Sequence, residues 1–154
     1  MSNPIKIEFK IKSDSCIRVF WVSRHDPLPA QILKLKEILG EFSLVKISGT
    51  IPTVDHLLDI IKHMKKSKNI IIPVLPLSFI ARLCEVRNRE GFDIWYAEMK
   101  QIAETKDINE AQRVVNEKPE TRTLTTYADG TIKVFEFISF KRIKQVKIEL
   151  EDIM

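Results

Sequence analysis

Glycine and cysteine are scarce in this chain, with four and two among 154 residues. So few glycines leave no Gly-x-Gly-x-x-Gly dinucleotide fingerprint. Ser48-Gly49-Thr50 lacks the second glycine and the Lys-Ser/Thr ending of a P-loop. A nucleophile elbow and a His-Glu-x-x-His zinc motif are also missing, which sets aside the common hydrolases and nicotinamide enzymes. Cys16 and Cys84 each lie among apolar neighbours. They read as buried packing thiols of a reducing compartment and not as a disulfide framework. Long apolar runs are absent too. The longest, Ile70 to Leu77, is interrupted by Pro73 and Pro76 and is too short to span a bilayer. The opening Met1-Ser2-Asn3-Pro4 has no signal-peptide apolar region. The expectation is a soluble, cytoplasmic protein with no membrane association.

What is present fits a single domain over residues 1–154. Hydrophobic residues make up 44% and charged residues 30%, enough apolar mass for a real core. The net charge of +4 leans towards acidic ligands, phosphates or nucleic acid, by a small margin.

Ile5, Ile7, Phe9 and Ile11 alternate with charged residues, the pattern of a half-exposed edge strand. Residues 16–22 form an apolar, β-branched and aromatic run, the pattern of a buried strand. Pro27 and Pro29 then open a helix with Leu28, Ile32, Leu35 and Leu39 on one face and Gly40 as its stop. Phe42 to Ile47 predicts another strand. Thr53 is set to cap a helix whose stripe is Val54, Leu57, Leu58, Ile61 and Met64, closed by Lys65-Lys66-Ser67-Lys68. Asn69 to Val74 is apolar on both faces, Leu77, Ile80, Ala81 and Cys84 (or Leu83) give a third helical stripe, and Phe92 to Met99 a fourth strand after the edge. Such alternation predicts right-handed βαβ units and a mainly parallel sheet flanked by helices, a Rossmann-like α/β core over 16–99. Residues 100–154 read as an extension. It holds a polar helix at 107–118 anchored by Ile108, Ala111 and Val115, a β-hairpin turning at Asp129-Gly130, and a last strand through Val146, Ile148 and Leu150.

Ligands of open α/β sheets bind beyond the carboxyl ends of the strands. Ser23-Arg24-His25 falls there, directly after the buried strand. Arg24 can grip a phosphate with a bidentate fork and His25 can move a proton near neutral pH. A plainer reading has Arg24 paired with an acid, Asp26 capping the next helix and His25 merely exposed. Ser48-Gly49-Thr50 occupies the equivalent place after the next strand, where backbone N–H groups can approach an anion, or where the chain simply turns. Glu98 is expected near the end of the fourth strand, as a partner for His25 or as an ordinary strand-end charge. Glu136, between two phenylalanines, is a partly buried carboxylate of unknown facing. His56, Asp59 and His63 share a helix face, but their lysine neighbours describe a solvated surface, and no metal or other cofactor is expected. Lys141, Arg142, Lys144 and Lys147, with Phe137 and Phe140 nearby, suit nucleic acid or a lysine-protected sheet edge.

The strand ending in Ser23-Arg24-His25, with the later Leu75-Pro76-Leu77 leading a helix that carries Ala81 and Cys84, resembles the small CRISPR-associated Rossmann-type proteins. These are related to CARF domains, and several are ring nucleases that destroy cyclic oligoadenylate messengers. The chain departs from that pattern at Asp26, in its extra first strand and after Lys100. The resemblance implies a homodimer that binds cyclic oligoadenylate and cleaves it without metal. Arg24 and His25 would be catalytic, and Ser23, Ser48, Gly49, Thr50, Leu75, Pro76, Leu77, Ser78 and Glu98 would contact the ligand. The rival expectations are a sensor that binds without cutting and a nucleic-acid-binding accessory protein of a mobile element.

Overall fold

The computed structural model describes residues 4–147 and 149–153, the side chain of Asn88 excepted. In chain order the elements are β1 (Lys6–Ile11), β2 (Ile17–Val22), α1 (Pro29–Leu39), β3 (Ser43–Ser48), α2 (Val54–Met64), β4 (Lys68–Pro73), α3 (Leu77–Glu90), β5 (Asp93–Thr105), α4 (Ile108–Glu117), β6 (Arg122–Thr126) and β7 (Ile132–Arg142). The strands are ordered β1-β3-β2-β4-β5-β7-β6. β2 is parallel to β3 and β4, and β4 to β5, whereas β1 with β3 and β6 with β7 are antiparallel. The fold is therefore α/β with a mixed sheet, where the sequence had suggested a mainly parallel one. Connection length is the reason. Five residues separate β1 from β2 and β6 from β7, and a parallel return needs a crossover of a dozen or more.

By contact density the chain divides into two compact units. One comprises Met1–His25, Glu41–Tyr96 and Arg142–Met154; the other comprises Asp26–Gly40 and Ala97–Lys141. The α1 segment, Asp26–Gly40, thus groups with Ala97–Lys141.

In the first unit Phe20, Val22, Val45, Ile47, Ile71 and Ile94 project from the strands onto Val54, Leu57 and Ile61 of α2 and Leu83 and Val86 of α3. Thr53 caps α2 as its sequence indicates, its hydroxyl accepting from the His56 N–H at 3.1 Å. Lys66 does more than end that helix: its ammonium donates to the carbonyls of Ser13 (2.9 Å) and Ser15 (2.8 Å). The stripe of α3 differs from expectation. Leu83, the alternative to Cys84, is buried as expected and Val86 is buried with it, but Leu77 is 63% exposed, because the helix begins beyond the end of the sheet. Nor are both cysteines buried. Cys16 precedes the first buried position of β2 and is exposed, and Cys84 is half-buried, its thiol pushed up by burial.

In the second unit Pro29 starts α1, Leu35 and Gln31 are buried, and Gly40 ends the helix at φ 72°. Asp107 caps α4 through the Asn109 N–H. Ala111 packs on Ile132 and Val134, while Ile108 is half exposed and anchors little. The hairpin closes with Tyr127 N–H on the Thr131 carbonyl (2.8 Å), and Gly130 turns at φ 87°. Glu136 faces Arg122, whose guanidinium also donates to Glu117 and the Val114 carbonyl. β5 runs past Met99 to Thr105. The expected strand at the C-terminal end does not form at Val146, Lys147, Glu149 or Leu150, and Ile148 lies outside the described residues. Among the described residues no helix is long and apolar enough to cross a membrane.

Several carboxylates titrate below their usual range. Asp129 is held down chiefly by the backbone N–H of Thr131, Glu110 by Arg113 and Glu8 by Lys10. A depressed folded-state pKa gives stability that is present above the unfolded pKa and lost as pH falls through the folded value. The urea midpoint is therefore expected to drop between about pH 5 and about pH 2. Asp129→Asn should flatten part of that slope; an unchanged slope would remove Asp129 as a contributor.

Candidate functional site

Because β3, β2 and β4 are parallel neighbours, the segments leaving their carboxyl ends emerge along one edge of the first unit. The strand ends are tied together there. Ser23 N–H donates to the Ile47 carbonyl at 3.1 Å, and Val74 N–H to the Val22 carbonyl at 2.8 Å. Ser23-Arg24-His25, Ser48-Gly49-Thr50 and Val74 to Ser78 thus leave the sheet at one edge.

The loop after β2 is held from within. Ser23 is buried, and its hydroxyl accepts from the His25 N–H at 3.2 Å. The Trp21 indole N–H donates to the His25 carbonyl at 2.9 Å. A buried indole needs an acceptor for its one donor, and here that requirement fixes the loop's path. The side chains of Arg24 and His25 are exposed, and among the described residues neither has a polar partner. The plainer reading of this segment is corrected in one respect. Asp26 does not cap α1; the Gln31 side chain accepts from the Leu28 N–H at 2.7 Å at the helix start.

Gly49 has φ +95°, and a Cβ there would collide with the Pro4 carbonyl and the Ile5 Cα. The glycine lets the chain entering β1 pass close by, and that alone accounts for it. Ser48 is half-buried and Thr50 exposed.

On the other side of β2, Leu75 packs on the core while Val74, Pro76, Leu77 and Ser78 are exposed. Pro76 is the N-cap of α3 and gives no side-chain hydrogen bond. Its carbonyl takes the N–H groups of Phe79 and Ile80, which leaves those of Leu77 and Ser78 for a ligand. Fourteen residues of aligned peptide dipoles stand behind that end.

Glu98 is not at a strand end, because β5 continues seven residues beyond it. It is engaged by the Lys141 ammonium at 2.9 Å and the Ser139 hydroxyl at 3.4 Å. The Lys141 bond, then Ser139, holds its carboxyl below the usual range. The role of orienting His25 has no support in these partners. In the basic run Lys141 is paired with Glu98 and Arg142 with Asp93 at 3.3 Å, leaving Lys144 and Lys147 exposed. Phe137 is 9% exposed and packs on Phe140, so its ring is not offered to a base. The His63 Nδ1 lies 2.7 Å from the Asp59 carbonyl. Among the described residues no three His, Cys, Asp or Glu side chains are grouped as metal ligands.

Sequence reasoning overlooked two features of the site, the Trp21 tie and the open start of α3. A tryptophan near the end of a buried strand, four residues before a loop carbonyl, is the signal that marks the first. A helix opening on Leu-Pro-Leu, with no Ser, Thr, Asp or Asn at its cap, marks the second. The second unit also carries an open cleft beside the hairpin turn, lined by Glu104, Tyr127, Asp129, Thr131 and Lys133. No family model, curated protein or solved structure matches this chain.

Proposed function

We propose that the edge at the ends of β3, β2 and β4 is a Rossmann-like nucleotide site that binds cyclic oligoadenylate and opens it without metal. The observation that carries this reading is the convergence of an exposed Arg24 and His25, on a loop braced by Ser23 and Trp21, with the uncapped start of α3. A guanidinium and a helix N-terminus both favour phosphate, and the ribose supplies its own nucleophile. The 2′-oxygen attacks the adjacent phosphorus and loses its proton to solvent. The bond from phosphorus to the 5′-oxygen breaks, leaving a 2′,3′-cyclic phosphate. Arg24 neutralises the charge that develops on the phosphorane oxygens, and His25 gives a proton to the departing 5′-oxygen. A two-fold dimer presents two such edges to a symmetric ring.

A sensor that binds without cutting is the second reading. His25 favours it, because among the described residues no side chain holds its imidazole in one tautomer. The deciding experiment incubates cyclic tetra-adenylate and cyclic hexa-adenylate with the protein in EDTA and resolves the products by chromatography. Linear products ending in a cyclic phosphate are expected, formed at least about a hundredfold more slowly by His25→Ala. Arg24→Ala is expected to slow the reaction and weaken binding. Intact rings that nevertheless bind would select the sensor. Rings neither bound nor cut would overturn both readings.

A further inference from the structure

We infer that the segment after Ile143 pairs as an added strand with the free edge of β1 in a second copy of this chain. Residues 145–150 alternate as a strand does, yet the described ones form none. Leu150 is 90% exposed, and Ile153 beyond it 97%. β1 is the terminal strand of the sheet and among the described residues pairs with β3 alone, so its outer row of N–H and C=O groups is open. It also exposes Ile7 (42%) and Phe9 (48%), apolar side chains that an edge facing water would not favour.

One antiparallel register matches both sets of side chains. With Lys147 opposite Glu8, Glu149 falls opposite Lys6, Val146 opposite Phe9 and Leu150 opposite Ile5. From Val146 to Leu150, opposite charges and apolar pairs then face each other. Lys6 is the cation available to Glu149. It is 70% exposed and lies 3.7 Å from Glu8, whereas Lys10 holds Glu8 at 3.1 Å. The other edge strand, β6, lacks this match: its residues are Arg-Thr-Leu-Thr-Thr, and Arg122 is already engaged.

The pairing cannot be made within one copy. Ile143 N–H is fixed on the Ile94 carbonyl of β5 at 2.8 Å. From β5 to the outer side of β1 is five inter-strand steps, about 24 Å. The three residues from Ile143 to Val146 reach at most about 11 Å. The partner is therefore another copy, and a reciprocal exchange closes on itself. This inference does not depend on the ligand, so failure of cyclic oligoadenylate to bind leaves it standing.

Sedimentation velocity over a concentration series tests it, on the full chain, a chain ending at Lys144, Glu149→Lys, and Glu149→Lys with Lys6→Glu. The full chain should self-associate and the shortened one should not. Glu149→Lys should weaken association about tenfold, and adding Lys6→Glu should restore it. Should the shortened chain fail to fold by circular dichroism, the charge exchange decides alone, since both of its positions are on the surface. A full chain that stays monomeric, association that survives the truncation, or a double variant no better than Glu149→Lys would each overturn the inference.

Discussion

Phe20→Ala is expected to destabilise the protein by about 3–5 kcal/mol, measured as the shift in urea unfolding followed by circular dichroism. Phe20 is fully buried in β2, opposite Val45 of β3 and Ile71 of β4, within the cluster that includes Leu57 and Leu83. Truncation removes the transfer free energy of a ring and leaves a cavity. The cavity walls are strand positions held by ladder hydrogen bonds on both sides, so little collapse can offset the loss. Phe20→Leu keeps most of the volume and should cost well under half as much. An alanine cost below about 1 kcal/mol would mean that β2 is not the packed interior strand described here.

Gly49→Ala is expected to cost about 2–4 kcal/mol, through two additive causes. A φ of +95° strains any residue with a Cβ, by about 1–3 kcal/mol. The Cβ also meets the backbone of Pro4 and Ile5, which can move only by displacing the start of β1. Gly130→Ala separates the two causes. Gly130 has a comparable φ of 87° but no atom near its missing Cβ, so it should show the strain alone. If the two variants cost the same, the approach of the N-terminal chain contributes nothing. A Gly49→Ala variant that folds should also show faster amide exchange in β1 than in β2, because only β1 is displaced.

Much of the first unit could be read from its residues. The stripe and Thr53 cap of α2, the apolar runs of β2 and β4 and the alternation of β1 each follow from short-range pattern. The adjacency of Ser23 and Ser48 followed from parallel strands read in succession. What escaped the sequence depends on long-range pairing. Nothing in Lys6 to Ile11 says that its partner is β3, 37 residues further on at Ser43. Polar residues Glu98, Lys100, Gln101 and Glu104 hid the continuation of β5, since a strand with much of its surface in water lacks the apolar run that marks an interior one. Glu98 was misplaced for the same reason, its position having been inferred from a strand end that lies elsewhere. Leu77 was assigned inward by helical period, but the first turn of α3 projects past the sheet where there is nothing to cover it. For the site, type and spacing located the loop, whereas the bond from Trp21 to His25 required the path of the chain.

The strand order has a consequence for how the protein is made. β1 and β2 follow one another in the chain but are not neighbours in the sheet, because β3 inserts between them. As the chain leaves a ribosome, these two consecutive strands therefore have no native partner in each other. Val19, Phe20, Trp21 and Val22 remain uncovered until Ser43–Ser48 has been synthesised, and β2 gains its second neighbour only when Lys68–Pro73 follows. Parallel pairings across such separations form slowly, because a long loop must close before any contact rewards it. The interval between making β2 and making β4 is when the nascent chain is most open to aggregation and most in need of a chaperone.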